Sequence, residues 1–297
     1  MAIPANLRGI LYMLASGLTF VFNDSLLKLA MGGLPPYEVL VMRGISGAFF
    51  ALCLLALNGE LKFHGKMISK PIILRAALES IAILTYILAL AHSPIGDVTA
   101  IFQTTPLLVI LGMIFIHREK AIGLRLALVA AGFAGALLVA QPFTGAVSPY
   151  VSLAFLTAIF AAARDLAARQ ISKEVPALVS TLILILTVLF AALLCGFLFE
   201  QWIFPSAYHV MLTFTAGLFM MLGHHFTLLA YRNASAQQVA PFYYSFLVFA
   251  VFFGFFIFGD VPNILSFVGM VVIVVSGLLL ISNEKKLEQN AYQYPDL

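Results

Sequence analysis

The chain has 297 residues, of which 62% are hydrophobic and only 10% charged, with a formal net charge of +3 and a mean hydropathy of +1.05. So little polar surface cannot cover a water-soluble globule of this size, which excludes soluble enzymes and soluble binding modules and assigns the chain to a lipid bilayer. The slight positive charge comes from loop residues and offers no tract for a nucleic-acid partner.

Apolar spans of about 20 residues match a hydrocarbon core about 30 Å thick. Ten are expected, near residues 7 to 31, 35 to 57, 70 to 92, 95 to 117, 122 to 140, 149 to 170, 176 to 199, 206 to 231, 236 to 258 and 262 to 282. The first outruns a signal-peptide core and lacks a small-residue cleavage site, so it reads as a retained helix. It carries Asp24 roughly 25 Å along its length and Lys28 one turn further. The second span brings Arg43 about 12 Å in from the other side, where the three side chains are in reach of one another. Asp24 with Lys28 at i, i+4 is the simpler alternative. Gly44-Ile45-Ser46-Gly47 on the second span spells the GxSG of intramembrane serine proteases, but small residues at this spacing serve close helix packing, and no catalytic role is assigned. Gly59 to Lys66 misses the phosphate-loop spacing and its Ser or Thr.

The third span holds Glu79 about 13 Å from its start, near the midplane. A lone carboxylate there is a candidate proton-coupling site, unless it pairs with Arg75 one turn away. The fourth span contributes Gln103, Thr104 and Pro106 and closes near Glu119; the fifth is rich in small residues, Ala127 to Gly135. Arg164, Asp165 and Arg169 fall in the sixth span and His224 and His225 in the eighth, while the ninth carries Pro241, Phe242, Tyr243, Tyr244, Ser245 and Phe246. The tenth span has Gly269 and Gly277, whose close-packing surface suits either an internal contact or a weak dimer. Residues 283–297 form a polar tail expected to be disordered. Cys53 and Cys195 lie inside spans as packing residues. His224-His225 lacks the HExxH spacing, and no metal or cofactor is expected.

The chain repeats itself. Adding 141 carries Asp24, Lys28, Pro35, Val98 and Glu119 onto Asp165, Arg169, Pro176, Val239 and Asp260, each keeping residue identity or charge sign. Residues 1–144 and 145–282 are therefore two five-span repeats, and an odd number of spans sends the second copy through the membrane in the opposite direction. Inverted repeats of this kind are the architecture of secondary transporters. Basic residues cluster on one face, at Arg8, Lys62, Lys66, Lys70, Arg75, Arg118, Lys120, Arg125, Arg169, Lys173, Arg232, Lys285 and Lys286, against Lys28 on the other. That bias puts both termini in the cytoplasm.

Two tandem five-helix units, an early Arg43 in the second span, acidic Glu119 and Asp260 closing the fourth and ninth, and small-residue fifth and tenth spans resemble the EamA branch of the drug/metabolite transporter superfamily. The resemblance covers essentially the whole chain. It implies a basket in which spans one to four and six to nine surround a cavity, supported by five and ten, and it implies transport of amino acids, nucleotide sugars, vitamins or drugs.

The expectation is an all-α integral membrane protein of a bacterial inner membrane, working by alternating access on a small-molecule substrate, with protons as a candidate coupling ion. The substrate site is expected at the midplane, from Glu79, Gln103, Thr104, Tyr243, Tyr244 and Ser245, because the repeat register superposes Gln103-Thr104 on Tyr244-Ser245. Charged gates are expected from Asp24, Lys28 and Arg43 on one side and Arg164, Asp165 and His224 on the other. The aromatic wall suits cargo with an apolar side chain, and the resemblance to the amino-acid exporters of the family implies export of amino acids with apolar or aromatic side chains. Uptake of a nucleoside-like or aromatic cofactor metabolite would use the same groups, and an intramembrane hydrolase built on Ser46 is the distant alternative.

Overall fold

Prolines stand at or just before many helix starts, where a missing N–H costs nothing: Pro4, Pro35, Pro36, Pro71, Pro94 and Pro149. Between these marks the computed structural model describes residues 4–58, 69–116, 123–141, 148–168, 177–234, 239 and 242–293. Among them there are helices and turns and no strand. The first three spans are Ala5–Ala30, Pro36–Leu57 and Lys70–His92. The fourth is two helices, Ile95–Phe102 and Thr105–Ile116, and the fifth is Gly123–Ala140. A 3₁₀ turn at Pro149–Val151 leads into the sixth, Ser152–Ala168, followed by Ala177–Phe199 and Ala207–Asn233. The ninth is Ser245–Phe253 with a wider turn over Gly254–Phe258, and the tenth is Ile264–Gln293. Among the described residues eight segments are long and apolar enough to cross a membrane, the fourth span counted as one across its break, and Leu126–Ala140 and Ser245–Phe258 are shorter apolar helices.

The tenth helix continues through Gln293 into the segment expected to be disordered. Its Glu, Lys, Leu, Gln and Ala residues are good helix formers with no glycine or proline among them, so adding residues to an already nucleated helix is cheap. The Arg118, Glu119, Lys120, Arg169, Lys173, Pro176 and Pro241 positions, with Gly59 to Lys66, lie outside the described residues.

Large apolar side chains point outward, among them Phe190, Phe197, Phe204 and Phe256, whereas Asn23, Asp24, Glu38, Arg43, Glu79, Asp97 and Gln103 are buried. This inside-out arrangement is what a hydrocarbon solvent selects. The packing crosses between the repeats. The first span lies on the eighth and the third on the sixth and seventh; the second meets the seventh and eighth, the fourth the ninth, and the fifth the tenth. Exchanging each span with its repeat counterpart maps this set onto itself, since one-with-eight becomes six-with-three and the pairs two-seven, four-nine and five-ten return to themselves. A pseudo-two-fold axis therefore runs through the last three pairs.

Small residues permit the closest crossings. Ser46 donates to the carbonyls of Arg43 at 2.9 Å and Thr213 at 3.1 Å, and a Cβ on Gly217 would stand 2.7 Å from the backbone nitrogen of Gly47. The GxSG segment is thus the packing surface between the second and eighth spans. Gly135 and Gly269 face each other across the fifth and tenth, and Gly132 lies against Leu107, so these glycines serve internal contacts. At the end of the molecule away from the termini, Glu200 accepts from the backbone N–H groups of Tyr37 (2.9 Å) and Glu38 (3.2 Å), capping the second span, while Glu38 accepts from Ile203 N–H at 3.0 Å. Burial holds the Glu200 carboxyl above its ordinary value, against the opposing pull of those two N–H groups.

Gly217→Val is expected to lower the thermal midpoint in detergent, overpacking of this kind costing about 1–3 kcal/mol. Gly123→Ala, with no atom within 4 Å of the added carbon, is expected to leave it unchanged. Size-exclusion chromatography after a temperature series reads both.

Candidate functional site

Of the three pairs on the axis, the fourth and ninth spans are both broken, and at register-equivalent points. The fourth is interrupted at Gln103-Thr104 and the ninth at Tyr244, which is residue 103 plus 141. In the fourth span Pro106 has no N–H for the carbonyl of Phe102, and the Thr105 hydroxyl donates to that carbonyl instead, at 2.6 Å. The Thr104 hydroxyl donates to the carbonyl of Ile101 at 2.7 Å. Gln103, fully buried, donates from Nε2 to the carbonyl of Tyr243 at 3.0 Å, so the two breaks touch. Its Oε1 has no partner among the described residues.

Beside the breaks runs a belt of charge. Asp24 accepts from the Tyr86 hydroxyl at 2.6 Å and from Asn23 at 2.8 Å. Glu79 accepts from Arg164, whose guanidinium also meets Asp165 at 2.8 Å. Arg43 lies within electrostatic reach of both Asp24 and Glu79, and Arg75 within reach of Glu79 while its Nη1 donates to Ser180 at 2.7 Å. Three carboxylates and three guanidinium groups thus make up a thick central layer of charge, about 16 Å along the third span from Arg75 to Tyr86, with the balance that low-dielectric burial requires. His224 packs edge-on against Phe20 and faces Glu79, Arg164, Arg43 and Arg75. Tyr243 stands within reach of Arg164, Asp165 and Glu79 and of Tyr86, which itself packs edge-on against Phe102. Belt and breaks are one site.

The structure redistributes the expected gate residues. Asp24 and Lys28 do not pair: Lys28 reaches Asp260 at 3.4 Å and the carbonyl of Ser93 at 2.6 Å, at the end away from the termini. Asp24 and Arg43 belong to the central layer, together with Arg164, Asp165 and His224. Glu79 takes Arg164 from the facing repeat as its contact, with Arg75 further off. Tyr244 turns away from Tyr243 toward the tenth span, where its hydroxyl abuts Gly277, and Ser245 lies beside Gly17 of the first span. The register counterparts of Lys28 and Asp260 are Arg169 and Glu119, both outside the described residues.

Sequence reasoning missed Tyr86, Asn23 and Asp97. Tyr86 was available, because it lies seven residues after Glu79 and so on the same helix face.

The second repeat copies one detail of the first. Asn23 donates to its neighbour Asp24, and Arg164, its register counterpart, donates to its neighbour Asp165 at 2.9 Å. Where the neutral Asn23 became a cation, Glu79 stands in the facing third span, and its own counterpart is the neutral Met220.

Residues 7–141 and residues 148–282 each match the EamA-like transporter family. The chain is 25% identical to an S-adenosylmethionine uptake transporter of Rickettsia prowazekii (strain Madrid E), over 96% of each chain. It is 27% identical to the pseudopaline exporter CntI of Pseudomonas aeruginosa, covering 93% of this chain and 97% of that one, and 28% identical to a riboflavin transporter of Vibrio cholerae, covering 94% and 95%. A solved crystal structure shares the fold with a TM-score of 0.65 at 16% identity, over 94% of this chain and 98% of its own.

Arg164→Met leaves Glu79 and Asp165 without their cation, and the expected cost is about 3 kcal/mol, read as a lower thermal midpoint. Adding Glu79→Met is expected to recover part of that loss. A double variant no more stable than the two single losses added together imply would overturn the pairing.

Proposed function

The chain belongs to the EamA-like transporter family and is a membrane transporter, and from that premise we propose a secondary carrier for small zwitterions, foremost amino acids with apolar or aromatic side chains, exported by alternating access. The observation that carries this reading is the contact of two helix breaks, Gln103 to the Tyr243 carbonyl, inside a charge-balanced layer. Unwound backbone at the midplane of an inverted-repeat bundle supplies carbonyls for an ammonium group, and guanidinium groups suit a carboxylate.

Arg164 is held by Glu79 and Asp165. A proton arriving at Glu79 would weaken that hold and free Arg164 for the carboxylate of the cargo, which ties proton movement to substrate binding. Phe102 and Tyr243, each next to one of the two touching breaks, would cover an apolar side chain. In this reading the protein sits in a bacterial inner membrane with both termini in the cytoplasm, an orientation that the basic-residue bias supports. A second reading, uptake of a nucleoside-like or aromatic cofactor metabolite, is favoured by the names of two relatives, the S-adenosylmethionine uptake transporter and the riboflavin transporter.

The test is flux of labelled phenylalanine, leucine, glutamate, S-adenosylmethionine and riboflavin in proteoliposomes, in both directions, with and without an imposed pH gradient. Saturable flux of phenylalanine and leucine is expected, with glutamate excluded, and Glu79→Gln is expected to lose the response to the gradient. Flux confined to S-adenosylmethionine or riboflavin would replace the first reading with the second. Ser46→Ala is expected to keep transport, and loss of flux with a folded protein would reopen the hydrolase reading.

A further inference from the structure

Away from the central layer, at the end of the bundle opposite the termini, a cavity of about 400 Å³ opens between the starts of the fourth and tenth spans and the end of the ninth. Cavities of this size hold small organic ligands. Asp97, Asp260, Asn263 and Ser148 line it, with Pro94 and Gly254. The ninth span ends at Gly259, whose φ of +70° is the left-handed conformation that glycine adopts without strain, and this turn carries Asp260 to Lys28.

Two carboxylates and one ammonium group meet here. Lys28 reaches Asp260 and the Ser93 carbonyl, lies 4.9 Å over the ring of Phe258, and is within electrostatic reach of Asp97. Asp97 is only 6% exposed, and its Oδ1 has no hydrogen-bond partner among the described residues. The group is one positive charge short, and its unsatisfied oxygen belongs to a side chain that lines the cavity. Such a deficit is costly in a buried site unless a cation completes it.

We propose that this cavity is a binding site for the ammonium group of an organic amine or zwitterion, with Asp97 as its direct acceptor and Lys28 as a tethered cation competing for the same two carboxylates. The surroundings of Lys28 already show the chemistry: a carboxylate, a backbone carbonyl and an aromatic face are what an ammonium group needs. A ligand ammonium that satisfies Asp97 also draws on Asp260, and so loosens the contact that ties the first span to the turn between the ninth and tenth. In an exporter with cytoplasmic termini this end faces away from the cytoplasm, so the site would hold cargo after it leaves the central layer and before its release. The inference rests on the carrier reading for its purpose, but not for its test.

The probe is 2-phenylethylammonium, which has no carboxylate, against 3-phenylpropanoate, an anion of similar size. Equilibrium binding to the full chain in nanodiscs is measured by calorimetry for the wild type, Asp97→Asn, Asp260→Asn and Lys28→Met. The wild type is expected to bind the cation and not the anion. Asp97→Asn is expected to weaken binding at least about tenfold, the loss of a charged hydrogen bond, and Asp260→Asn to weaken it by leaving Lys28 to Asp97 alone. Lys28→Met is expected to tighten it, because the tethered competitor is gone; a purely structural lysine would give the opposite.

Each variant is admitted on a monodisperse elution profile. If Asp97→Asn fails that standard, Asp97→Glu displaces the same charge and is expected to bind more weakly than wild type. Equal binding of the anion, unchanged affinity in the Asp97 variant, or weaker binding in Lys28→Met each overturns the proposal. Because the probe is not an amino acid and no flux is measured, absent amino-acid transport leaves a positive binding result standing, and absent binding beside intact transport removes this site alone.

Discussion

Arg164 in the interior of a bundle whose outer face is phenylalanine and leucine is tolerable only because Glu79 meets it. The cost of desolvating an unpaired guanidinium amounts to several kcal/mol, more than the close packing of one pair of spans returns. The contact therefore decides which faces of the third and sixth spans turn toward each other. Once it is made, Tyr86, two turns along from Glu79, is aimed at Asp24 of the first span. One helix face thus ties the sixth span of one repeat to the first span of the other.

Symmetry and charge are adjusted together. The pseudo-two-fold axis pairs one-with-eight and six-with-three, so a cation introduced on the sixth span is felt by the third, and its neutral counterpart Asn23 on the first span corresponds to a neutral residue, Met220, on the eighth. The replacement of Asn–Met by Arg–Glu leaves the net charge of the layer unchanged. It makes the two halves chemically different while their backbones stay equivalent. A carrier that must expose one site to two sides needs equivalent backbones for its two conformers, and conformers separated by only a few kcal/mol are sensitive to one such exchange.

The fold was open to sequence reasoning because its determinants are additive. Hydropathy marks the spans, and the 141-residue register from Asp24 to Asp165 marks the inversion. The positions of the helix breaks were also legible, since Pro106 and the Gln103–Tyr244 correspondence pointed at them. Partner choice was not. The i, i+4 argument that couples Glu79 to Arg75, or Asp24 to Lys28, sees only one helix, and in each case a group on another span offered the better contact. The direction of Tyr244 was lost for a similar reason: adjacent residues on a helix diverge by about 100°, so Tyr243 and Tyr244 could not both face the same wall, and only packing against Gly277 shows which one turns away.

Asp97 was overlooked because a carboxylate in the first turn of a helix has a sufficient local explanation in the helix dipole. That explanation accounts for its tolerance there but not for an oxygen buried without a donor. The contrast with the central layer is informative. There every carboxylate has a hydrogen bond or a guanidinium, and the charges close to zero. At the far end Asp97 and Asp260 share one lysine, and the imbalance sits against open volume rather than packed side chains. Glu38 and Glu200 at the same end do without a cation because backbone N–H groups bond them; Asp97 Oδ1 has no such donor among the described residues, and that difference is what a cation arriving from outside would remove.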